Sequence, residues 1–164
     1  MVALKLQFLR CTAIDVRIGF SNASNYMLNL LTRLSRIKLL LLLRCWVRLV
    51  VVRLLLRIFG FDRSLKILSL DKLAEDLSDA DLSQWRERGL YFQRAAKLVP
   101  SARCLARAMA LCHWARQCAT PAVLVIGVQR TADKTLAHAW SVICNEVVDD
   151  SASIVANFTV VYRC

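Results

Sequence analysis

A chain of 164 residues is long enough for one domain with its own core and too short for two comfortable ones. Its hydrophobic fraction of 57% exceeds the roughly 45–50% usual in soluble domains, so either an apolar surface is presented to something or the core is unusually rich. The net charge of +11 sits almost entirely in the first 70 residues, where twelve Lys and Arg face only Asp15 and Asp62; a basic, leucine-rich half without a reader motif argues against nucleic acid and for a membrane surface or an acidic partner.

In chain order, residues 1–40 read as an irregular N-terminal extension, and the first ten, MVALKLQFLR, lack the apolar core and cleavage site of a signal peptide. The next segment, IKLLLLLRCWVRLVVVRLLLRIFGF (37–61), looks at first like a membrane span. Arg44, Arg48, Arg53 and Arg57 interrupt it, and each arginine near the middle of a span costs about 2.5–3.5 kcal/mol. The segment therefore reads as one or two helices, docked on the domain or lying at a membrane surface with the arginine stems reaching over apolar neighbours, and ended by Gly60 and Asp62.

Residues 71–87 hold six of the twelve acids and read as a solvated face. Asp79 or Ser83 is expected to cap a helix that carries Leu82, Trp85, Leu90, Phe92 and Ala96 and stops before Pro100. The stretch SARCLARAMALCHWARQC places Leu105, Ala108, Met109, Cys112 and Ala115 at helical spacing, and Thr120-Pro121 breaks it. Beyond lie AVLVIGV (122–128), LAHAWSVI (136–143), EVV (146–148) and SIVANFTVVYR (153–163), expected as strands of an antiparallel sheet. The fold class is thus α+β: N-terminal helices, then a helix packed on that sheet.

Seven cysteines without a CxxC pair suggest neither a disulfide framework nor a four-cysteine zinc site, which points to a reducing cytoplasm. A catalytic thiol is best placed in the first turn of a helix, where unpaired N–H groups stabilise thiolate. Cys104 has that position, with Ser101 as N-cap and Arg103 and Arg107 adding positive potential; Cys112 and Cys118 read as structural. His138 is the natural base, and His113 is less favoured. A metal site built on Cys112, His113 and Cys118 lacks a fourth ligand at zinc-like spacing, so no metal is expected. Asp150, across a turn at Cys144-Asn145, is the candidate to orient the imidazole; strand alternation should point Asp149 away into solvent or the turn.

The sequence PSARCLARAMAL, then LVIGV, then AHAW, then EVVDD resembles the lasso peptide biosynthesis B proteins, leader peptidases of the transglutaminase-like cysteine protease superfamily. The resemblance covers about residues 40–164 and implies a transglutaminase- or papain-like core over 41–164, with Cys104 as nucleophile, His138 as base and Asp150 as acid. It implies removal of the leader from a ribosomally made precursor, so that a separate cyclase can close a macrolactam ring. Residues 1–40 are too short for the leader-recognition element some members carry, although AIDVRIGF is compatible with a remnant of one of its strands, so a separate recognition protein is the expected partner. ATP dependence is implied too, but no phosphate-loop pattern occurs, and nucleotide use would fall to the cyclase. The expected location is the cytoplasm, peripheral to the inner membrane face through residues 37–61. Two rival readings remain: an acyl transferase resolving the same thioester with an amine, and a non-catalytic membrane-associated scaffold.

Overall fold

The computed structural model describes residues 36–70, 81–99, 104–131 and 134–164. The expectations for AIDVRIGF, for most of the acid-rich run, and for Asp79, Ser101 and Arg103 lie outside them.

Helix α1 (Arg36–Ile67) buries Leu42, Cys45, Leu49 and Val52, a stripe at i, i+3, i+7 and i+10. Gly60 ends its first and longer part, as expected: at φ 73° and ψ −176°, a conformation open mainly to glycine, it breaks the helical run, and a second short helical segment continues through Asp62 to Ile67. Helix α2 (Leu82–Ala96) is capped by Asp81, whose carboxylate accepts from the Ser83 N–H at 3.0 Å. Its inward face is Trp85, Gly89, Phe92 and Ala95, while Leu90 faces outward.

Helix α3 (Cys104–Gln117) is enclosed more fully than its spacing suggests, because Ala106, Ala110, Leu111 and Trp114 are buried along with Ala108, Met109, Cys112 and Ala115. It runs between the sheet on one side and α1 and α2 on the other. Four alanines keep its girth small enough for that double packing. Trp114 meets Trp85 and Phe92 edge to face, with ring centroids 6.2 and 6.0 Å away. The guanidinium groups of Arg48 and Arg88 lie 4.6 and 4.9 Å from its ring centroid.

The four strands are β1 (Ala122–Arg130), β2 (Thr135–Ile143), β3 (Glu146–Val147) and β4 (Thr159–Arg163), antiparallel in the order β3-β2-β1-β4. The architecture is therefore mixed α+β, helices on a four-stranded antiparallel sheet. Cys144 and Asn145 make the β2–β3 turn with φ 48° and 64°, the two left-handed residues of a tight hairpin. The expected strand over 153–163 is shorter. Ser151 caps a single turn, α4 (Ala152–Val155), its hydroxyl accepting from the Ile154 N–H at 3.3 Å, and only then does β4 begin. The chain thereby crosses from the β3 border to pair β4 with β1.

Candidate active site

Three segments bring Cys104, His138 and Asp150 together: the start of α3, the middle of β2, and the bend that follows β3. The His138 Nε2–H donates to Asp150 Oδ2 at 2.7 Å. On the other side the ring interacts with the Cys104 thiol, Nε2 being taken by Asp150. The backbone N–H of Ala139, on the outer edge of β2, acts on the same sulfur and favours its charged form. Phe158 and Trp140 flank the imidazole, with ring centroids 5.2 and 6.1 Å away, and fix its plane.

The electrostatics follow from these contacts. Burial alone pushes the Cys104 thiol up, but the hydrogen bond and charge of His138, the Ala139 N–H and the nearby Arg107 outweigh it and leave the thiol below its ordinary value. His138 moves the opposite way: its bond to Cys104 raises it, burial opposes, and Asp150 adds to the rise. A lowered thiol beside a raised imidazole is the arrangement that holds a thiolate–imidazolium pair near neutrality. Cys45 and Cys112 differ: burial pushes both up to about 12. His113 is engaged elsewhere, its Nδ1 donating to the Leu68 carbonyl at 3.0 Å.

The paired carboxylates divide the work in a way the sequence did not reveal. Extending the β2–β3 register, in which Val142 faces Val147 and Ile143 faces Glu146, would set Asp149 opposite Trp140 and so on the face of His138. The last cross-strand bond is that of the Val148 N–H to the Ser141 carbonyl at 3.3 Å, however, and the bend at Asp149 and Asp150 turns Asp150 to the imidazole instead. Asp149 does point away from His138, but not into solvent. It is wholly buried, accepting from the Ser141 N–H at 2.7 Å and from Arg107 Nε at 3.4 Å. Burial raises its carboxyl above the ordinary range, against the pull of Arg107.

Arg107 is the residue that sequence reasoning undervalued. One turn after Cys104 on α3, it bonds both carboxylates, donating from Nη2 to Asp150 at 3.1 Å. It therefore ties the acid-bearing bend to the helix that carries the thiol. Helix α2 supports the same bend from outside: Gln93 Nε2 donates to the Asp149 carbonyl at 2.9 Å. A Cβ on Gly89 would lie 2.4 Å from the Val148 carbonyl oxygen, so only glycine permits this approach. The one available signal was spacing, an arginine at i+3 from the candidate thiol and a lone glycine within a helix.

Among the described residues the glycines lie within α1, α2 and β1, and none belongs to a glycine-rich phosphate loop.

The family model that matches the chain is that of the transglutaminase-like superfamily, over residues 46–163. No curated protein and no solved structure gives a significant match.

Proposed function

For a chain that belongs to the transglutaminase-like superfamily, we propose the role of a cysteine peptidase that removes the leader from a lasso peptide precursor, acting through Cys104, His138 and Asp150. The observation that carries this reading is the continuous thiol–imidazole–carboxylate chain, with the thiol lowered and the imidazole raised. The resemblance of PSARCLARAMAL, AHAW and EVVDD to the lasso peptide B proteins supplies the substrate class.

In this mechanism the Cys104 thiolate attacks the carbonyl at the leader–core junction, forming the carbon–sulfur bond of a tetrahedral intermediate whose oxyanion is met by the Cys104 backbone N–H. As the carbon–nitrogen bond breaks, His138 gives its proton to the leaving amine. His138 then takes a proton from water, which adds to the thioester and releases Cys104. Asp150 holds the imidazole through Nε2 and stabilises its charged form. Residues 41–164 form the catalytic unit, a separate protein recognises the leader, and a cyclase receives the trimmed precursor.

The test is mass spectrometry of the precursor after incubation with the wild-type protein and with Cys104→Ala, recognition partner present. The expected result is free leader and core with the wild type only. A product that differs from the hydrolysed piece by the mass of an amine less one water would identify an acyl transferase. Cleavage that survives Cys104→Ala would overturn the assignment.

A further inference from the structure

Helix α1 is apolar on two opposite faces, and among the described residues only one of them is packed. Leu40, Leu43, Val47, Val51, Leu54 and Ile58 are each between 45% and 68% exposed. Their spacing of 3, 4, 4, 3 and 4 residues confines them to a sector about 80° wide on an α-helix, diametrically opposite the buried stripe Leu42, Cys45, Leu49 and Val52. At 1.5 Å per residue the outward stripe is about 27 Å long. A helix apolar all round is normally covered on every side; here one side has the core and the other is presented.

The borders of that stripe identify what covers it. Arg44 flanks it on one side and Arg53 and Arg57 on the other, while Arg48 turns inward to Trp114 and Gln117, and from Arg36 to Phe61 the helix contains no acidic residue and no amide or hydroxyl side chain. A second copy of the helix would set arginine against arginine in either direction of packing. Nucleic acid has no use for the aliphatic stripe. An anionic lipid surface matches both parts, acyl chains for the stripe and headgroup phosphates for the arginines on long, flexible stems. No helix among the described residues is long and apolar enough to cross a membrane. We propose that α1 lies in the plane of an anionic bilayer surface, its outward stripe in the acyl-chain boundary and Arg44, Arg53 and Arg57 at the phosphates.

The experiment is sedimentation of the full chain with vesicles of phosphatidylglycerol and phosphatidylcholine, against vesicles of phosphatidylcholine alone, across a salt series. The expected result is pelleting with anionic vesicles only, weakening progressively with salt. Arg44→Gln and Arg57→Gln should each reduce partitioning about fivefold. Val47→Glu with Leu54→Glu should abolish it, while the rate of Cys104 alkylation and the circular dichroism spectrum stay unchanged, since both positions are on the outer face. If the double glutamate variant fails to fold, the arginine variants decide. Equal pelleting with neutral vesicles would overturn the proposal. So would no pelleting at all, which would mean that the stripe is covered from within the chain. So would a concentration-dependent dimer lost in the glutamate variant, which would make a second copy the occupant, and so would capture by an acidic polypeptide in preference to vesicles.

Discussion

Substituting Asp149 and Asp150 separately should dissociate stability from reactivity, because the two neighbours serve different elements. In Asp150→Asn the imidazole loses a charged acceptor held at 2.7 Å. A hydrogen bond to a charged group contributes about 1.5–3 kcal/mol; lost in the transition state, it lowers leader cleavage about ten- to 150-fold. Folding should change little, since Arg107 keeps Asp149. In Asp149→Asn the amide oxygen can still accept from Ser141, but Arg107 loses a fully buried carboxylate. Breaking such a pair outright removes about 3–5 kcal/mol. The retained bond, the remaining Asp150 contact and the burial that already disfavours the Asp149 charge reduce this to about 1–3 kcal/mol. For a domain of this size that is a fall in melting temperature of about 4–12 °C. The assay pairs kcat/KM for leader cleavage with thermal unfolding followed by circular dichroism. The reasoning is refuted if Asp149→Asn abolishes cleavage at unchanged melting temperature while Asp150→Asn is mild.

Substoichiometric iodoacetamide near pH 6.5 should modify Cys104 first and leave Cys112 untouched, as peptide mapping will read, because burial pushes Cys112 up to about 12. The pH profile of Cys104 alkylation should extend below that of a free cysteine, and His138→Asn should move its inflection upward, since the bond to His138 is the largest influence lowering the thiol. The raised His138 makes a stabilising contribution that is fully present below the ordinary histidine value of about 6.5 and is lost as pH rises through its higher folded value. The melting-temperature gap between wild type and His138→Asn should therefore narrow on going from pH 6 toward alkaline pH. Gly89→Ala drives a Cβ into the Val148 carbonyl and should destabilise by about 1–3 kcal/mol while lowering cleavage, because the same backbone carries Asp149 and Asp150; unchanged unfolding and activity would show that α2 does not seat the bend.

The positions of Cys104 at a helix start and of His138 in a strand were legible because the signal of each element is local: a preceding Pro and Ser, and a β-branched run. Asp150 was chosen on strand alternation and on the resemblance, yet the pairing register that the hairpin adopts would, if continued, have favoured Asp149. No short-range pattern announces that pairing will stop at Val148, since that depends on Gly89 and Gln93 arriving from a helix 56 to 59 residues earlier in the chain. Arg107 was read as a local source of positive potential when its contacts are 42 and 43 residues away. The all-round burial of α3 and the outward face of Leu90 were hidden for a related reason: periodicity shows that a helix has an apolar face but not how many neighbours will enclose it.

The sheet has two unequal borders. On the β2 side, beyond the short β3, the outward N–H groups of Ala139 and Ser141 are already taken by a sulfur and a carboxylate. On the other side, among the described residues, β4 is paired only with β1, and its residues are exposed, Val160 and Val161 among them. An extended strand from another molecule would find its acceptors and donors there rather than beside the thiol. Self-association of this chain at high concentration should thus begin at its C-terminal strand and leave the nucleophile accessible inside the aggregate.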